Sequence, residues 1–142
     1  MAVIDASKLV FGRLASIVAE RALKGEQIDI VNVEKAVIIG PKAYMVREFQ
    51  SRIDMGAKGN PERGPKYPKT PQGLMRHAVK GMLPDRKPRG MKALKRVRAY
   101  VGIPKKLQKD AMETIKIAVY NGKEDASELG DISRSLGWTW SK

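Results

Sequence analysis

From His77 to Gly102 the chain reads HAVKGMLPDRKPRGMKALKRVRAYVG, eight bases against a single acid, Asp85. Lys and Arg in such a run can neutralise phosphates and donate charge-assisted hydrogen bonds to them. An isolated pair of bases usually does no more than solvate a helix face. Here the acids that normally intersperse such a face are missing, and the array suits a polyanion. Other chemistry has less to work with. The one histidine, His77, has no carboxylate near it in sequence, so as a general base it lacks a partner. Asp5 followed by Gly12-Arg13 at a strand-to-helix turn could cradle a phosphate at a helix N-terminus. Close packing of strand on helix explains the same glycine. No dinucleotide glycine fingerprint or phosphate-binding loop pattern occurs, and the carboxylate clusters needed for metal-assisted chemistry are absent. These residues argue against an enzyme: no catalytic residue, metal ligand, cofactor or small-molecule substrate is expected.

The bases need elements to hold them. Leu74, Ala78 and Met82 recur at helical spacing, with Arg76 and Lys80 one turn apart on a different face. Gly81 is expected to stop that helix, and Pro84 forbids its continuation. Asp85 to Gly90 then reads as a stiff, exposed cationic loop. In a second short helix Met91, Leu94 and Val97 are expected to face inward, while Lys92, Lys95, Arg96 and Arg98 cannot all do so. Arg89, Lys92 and Arg96, at spacings of three and four, can share one surface. A strand is expected from Arg98 to Val101.

A chain of 142 residues is long enough for one domain with a real core, and 1–142 is expected to form one. Its net charge of +13 is unevenly placed. Residues 1–41 hold five bases and five acids, residues 42–109 nineteen bases and four acids, and residues 110–142 four bases and six acids. A basic region at about 42–109 beside a neutral part is the footprint of nucleic-acid binding. A membrane surface is a poorer partner, because no basic helix carries a wide apolar face with Trp or Phe. Cysteine is absent, no apolar run approaches membrane-spanning length, and Val3-Ile4-Asp5 follows the start with no secretory pattern. A soluble protein of the cytoplasm is expected.

In chain order, Val3 to Ala6 reads as a strand, Phe11 to Lys24 as a helix stopped by Gly25, and Ile28 to Val33 as a strand covered on both faces. That order implies parallel neighbours. Ala36 to Ile39 follows too closely for a parallel crossover, so it should run antiparallel or the chain must bend sharply. The expected fold is therefore α/β with a mixed sheet. Gly40-Pro41 opens a helix with Met45, Phe49 and Ile53 on one side and a Glu48–Arg52 pair on another; Gly56 ends it. Residues 57–73 form a long Gly-, Pro- and base-rich loop in which Tyr67 is the only large apolar side chain. Lys58, Arg63, Lys66 and Lys69 favour a phosphate-bearing partner there. Ile115 to Tyr120 looks strand-like, with a helix as the alternative, and Ile132, Leu136 and Trp138 are packing candidates near the end.

Several segments together resemble the large-subunit ribosomal protein L-thirteen family along nearly the whole chain. They are VIDASKLVFGRLAS at 3–16, VNVEKAVIIGPK at 31–42, AVKGMLPDRKPRGMKAL at 78–94 and RAYVGIP at 98–104. NPERGP at 60–65 and the ending SRSLGWTW are similar to the archaeal and eukaryotic branch. Bacterial members carry a His- and Gly-containing loop where this chain has MGAKGNPERGPKYPKTP, so their loop contacts do not transfer. The resemblance implies a three-layer α/β/α core with a four-stranded sheet ordered 3-2-1-4. It also implies a structural, early-assembling role on large-subunit ribosomal RNA beside neighbouring large-subunit ribosomal proteins, within the cytoplasmic ribosome. The RNA contacts it implies are Lys80, Arg86, Lys87, Arg89, Lys92 and Arg96. Charge and loop composition add Arg52, Lys58, Arg63, Lys66, Lys69 and Arg76. Two other readings stay open from the residues alone: an RNA-directed enzyme using the Asp5–Gly12 turn as a nucleotide site, and a DNA-compacting protein.

Overall fold

The computed structural model describes residues 1–55, 59–60, 62–84 and 86–139. In chain order the elements are β1 (Ala2–Asp5), α1 (Phe11–Leu23), β2 (Ile28–Val31), β3 (Val37–Ile39), α2 (Lys42–Asp54), α3 (Pro71–Met82), α4 (Pro88–Lys95), β4 (Val97–Ala99), β5 (Met112–Glu113), β6 (Ala126–Glu128) and α5 (Leu129–Ser135). Single 3₁₀ turns lie at Val33–Lys35 and Lys116–Ala118.

Four strands form the main sheet, in the order β4, β2, β1, β5. Every pairing in it is parallel, with Val3 set between Asp29 and Met112. The expected mixed sheet is therefore corrected. Its cause lies at the end of β2, where Asn32 adopts the left-handed conformation at φ 54° and a 3₁₀ turn swings the chain away. β3 does pair antiparallel, but with β6 in a separate two-stranded ribbon. The edge of β2 is taken instead by β4, from much later in the chain.

The turn at Asn32 is held by Asp5. One carboxylate oxygen, Oδ1, accepts from the Ser7 backbone N–H (3.0 Å), the Ser7 hydroxyl (2.8 Å) and the Asn32 side-chain amide (3.0 Å). Burial pushes the Asp5 carboxyl up, but the hydrogen bonds from Asn32 and Ser7, with Lys35 nearby, outweigh it and hold the group below its usual range. Asp5→Ala leaves the buried Asn32 amide without its acceptor, and is expected to cost about 1–3 kcal/mol in urea unfolding. Because the folded carboxyl is the more acidic one, its contribution is present above the unfolded value and lost as pH falls through and below about 4. The gap between wild type and Asp5→Ala should therefore narrow in acid; a gap independent of pH contradicts the assignment.

α1 packs against α3 and α4 and buries Leu14, Ala15, Val18, Ala19 and Ala22 on one side. Gly25, at φ 106°, ends it with its N–H on the Ala22 carbonyl (3.1 Å), as the spacing predicts. The wholly buried large side chains include Ile4, Leu14, Ile28, Ile30, Met75 and Ile132. Near the end Leu136 is buried too and Trp138 half-buried, while Trp140 lies outside the described residues. The strand expected at Ile115–Tyr120 is corrected: pairing with β1 comes earlier, at β5, and Ile115 and Ala118 reach the core across a 3₁₀ turn.

Candidate nucleic-acid surface

α3 begins at a defined cap. Thr70 Oγ1 accepts from the Gly73 N–H at 3.2 Å, and Pro71 occupies the first helical position, where its missing donor costs nothing. The buried stripe of α3 is Pro71, Leu74, Met75 and Val79, not the expected Leu74, Ala78 and Met82. Ala78 is half-buried and Met82 is exposed. Gly81 does not stop the helix. It is helical with negative φ, and the helix runs on through Met82 until Leu83 turns extended ahead of Pro84. The preceding loop is anchored at its end rather than bare, since half-buried Tyr67 sets its ring 5.3 Å from that of His77, tilted by 58°. That contact is the role the structure gives His77. Gly56, the expected end of α2, is outside the described residues; the helix reaches Asp54.

Between α3 and α4 the chain folds into a tight knuckle. The Lys87 N–H donates to the Pro84 carbonyl (3.0 Å), and the N–H groups of Gly90 (3.0 Å) and Met91 (3.2 Å) donate to the Lys87 carbonyl. Gly90 lies so close to Pro84 that a Cβ there would stand 2.1 Å from the Pro84 oxygen. Glycine at this position is a packing requirement, not a turn requirement. The inner side of α4 is Gly90 and Ala93, with Leu94 half-buried; Met91, expected inside, is exposed. α4 is thus drawn in by its small residues, and its larger ones stay at the margin.

This scaffold exposes Arg76 and Lys80 on α3, Arg86 and Lys87 in the knuckle, and Arg89 and Lys92 on α4. Arg63, Lys66 and Lys69 are exposed in the loop before α3. None of these nine bases ion-pairs with an acid among the described residues. Two further expected contacts have partners inside the chain. Arg52 pairs with Glu48 at 2.8 Å and lies 5.8 Å from the centre of the Phe49 ring. Arg96 is half-buried and donates from Nη1 to the Ala22 carbonyl at 3.3 Å, closing the C-terminal end of α1. Lys58 lies outside the described residues. Lys95 and Arg98, both exposed, line a cleft with Arg96, Gln27 and the buried Asp29. They were not among the expected contacts, although the run of bases at 92–98 already pointed to them.

The alternative site at the start of α1 is built differently. Asp5 is committed to Ser7 and Asn32, so its carboxylate orders the turn. Gly12 is exposed, and a Cβ there would meet nothing within 4 Å, so close packing does not account for it. Among the described residues no group of three or more His, Cys, Asp or Glu side chains could hold a metal ion. None of their helices is long and apolar enough to cross a membrane.

The family model described as ribosomal protein L13 matches residues 1–106, which contain the whole of this basic scaffold. Large ribosomal subunit protein uL13 of Thermoplasma acidophilum is 41% identical over 137 residues, covering 96% of this chain and 98% of that protein. The uL13 proteins of Methanocaldococcus jannaschii and Methanopyrus kandleri are 42% and 43% identical, each over 96% of this chain and over 98% and 86% of their own lengths. A match of this extent covers the sheet, the knuckle and the β3–β6 ribbon together, and the chain belongs to the ribosomal protein L13 family.

Proposed function

We propose that this chain is a structural constituent of the large subunit of the cytoplasmic ribosome, which binds large-subunit ribosomal RNA and organises it during assembly. It is not an enzyme. The observation that carries the reading is the set of nine exposed bases, without acid partners among the described residues, six of them on the α3–knuckle–α4 scaffold that a cap and close packing fix. Such a set gives affinity through counterion release, and specificity through where the fold places the cations. The proposed RNA contacts are Arg63, Lys66, Lys69, Arg76, Lys80, Arg86, Lys87, Arg89 and Lys92, with Lys58, Arg52 and Arg96 as further contacts. For Arg52 the exposed pair with Glu48 is no obstacle, since such pairs are worth only about 0–1 kcal/mol. The partners are ribosomal RNA and neighbouring large-subunit proteins, not a membrane or a small molecule. The same reading treats residues 1–142 as one domain, with a three-layer core and the basic region at about 42–109.

Competition tests this directly. At matched salt, unlabelled large-subunit ribosomal RNA should displace a labelled fragment of that RNA far better than duplex DNA does. Equal competition by DNA favours the compaction reading. Saturable binding of a nucleotide that is lost on substitution at Asp5 or Arg13 favours the enzyme reading.

A further inference from the structure

Nothing among the described residues requires glycine at position 81. Its φ is negative, it lies inside α3, and a Cβ built on it would meet nothing within 4 Å. Alanine is the better helix former at such a place. Beside it Met82 is 47% exposed, and across the knuckle Met91 is 52% exposed. Met82 continues the angular stripe of Leu74, Met75 and Val79, but in the last turn of α3, past the edge of the core. The contact of Gly90 with Pro84 limits how far apart the two methionines can lie, chain geometry keeping their backbones within roughly 17 Å. Around them stand Lys80, Arg86, Lys87, Arg89 and Lys92, all exposed and with no acid paired to them among the described residues. Exposed apolar side chains flanked, among the described residues, by cations alone do not suit a neutral or basic protein surface. They suit RNA, whose phosphates meet the cations while its ribose and base faces meet the thioethers.

We infer that Gly81, Met82 and Met91 form an apolar, close-approach contact at which a ribose or base face of ribosomal RNA packs against the protein, the missing side chain of Gly81 letting the RNA reach the helix backbone. This rests on the proposed function and adds to it a component of affinity that salt does not screen.

Three variants separate the two ideas, each titrated with purified large-subunit ribosomal RNA across a salt series and checked by thermal unfolding. Met82→Ala with Met91→Ala should keep the wild-type melting temperature and salt slope, while weakening binding by about tenfold at every salt. Gly81→Ala should melt at or above the wild-type temperature and yet bind more weakly, a combination that loss of structure cannot produce. Lys87→Gln with Arg89→Gln should flatten the salt slope. If that pair flattens the slope while the methionine pair and Gly81→Ala bind as wild type does, the apolar contact is refuted and phosphate binding stands. If all three bind with wild-type affinity and slope, RNA does not lie on this surface, and both readings fall.

Discussion

Raising salt from about 50 to 200 mM is expected to weaken binding to large-subunit ribosomal RNA by roughly 10³–10⁵-fold, the loss for some six to ten neutralised phosphates. The nine exposed bases without acid partners among the described residues, from Arg63 to Lys92, fall inside that range. Bases already paired to carboxylates would contribute less, because binding RNA would first have to break the internal pair. Lys87→Gln, Arg89→Gln and Lys92→Gln together should lower the magnitude of the salt slope by up to about three, one for each phosphate contact removed. All three side chains are exposed and make no hydrogen bond to other described residues, so the melting temperature should hardly move. Arg96 is left out of this set by design. Its bond to the Ala22 carbonyl means that Arg96→Gln would loosen the end of α1 and mix a folding effect with a binding effect. A nearly flat salt dependence in the wild-type protein would point to recognition through base edges or apolar contact alone, and would end the electrostatic account.

The main elements were legible wherever one local signal decided them. α1 was, because an apolar stripe from Phe11 to Ala22 ends on a glycine that adopts positive φ. So was the break after α3, since Pro84 cannot continue a helix, and so was the Glu48–Arg52 pair. What stayed hidden depended on distant partners. Nothing near Asn32 announces that Asp5, far back in the chain, will hold it in a left-handed turn and send β3 out of the sheet. Nothing near Met112 announces that two residues there will pair with β1. On α3 and α4 helical spacing found the helices but only part of the buried face: Met75, Val79, Gly90 and Ala93 went unmarked, and Met82 and Met91, past the edge of the core, were expected inside. The basic surface was legible as charge. Which bases are already engaged was not, because the acceptor for Arg96 is a backbone carbonyl on another helix.

Met75→Ala is expected to do to the fold what the Gln substitutions do to binding. Met75 is wholly buried on the inner face of α3, in the core that also holds Leu14, Val18 and Ile30. Truncating it removes apolar contact and leaves a cavity that rigid neighbours on a sheet and two helices can only partly fill, costing about 2–5 kcal/mol. That should lower the melting temperature by roughly 5–20 °C for a domain of this size. Leu94→Ala is the informative comparison. Leu94 packs against the same core but is only half-buried, so its loss should be clearly smaller, although the deleted group is of similar size. Neither residue belongs to the proposed RNA surface, so both variants should keep the wild-type salt slope at temperatures where they are folded. A Met75→Ala protein that melts like wild type would mean that α3 is not anchored through this face. The positions of Arg76 and Lys80 would then have to be fixed by the RNA rather than by the chain.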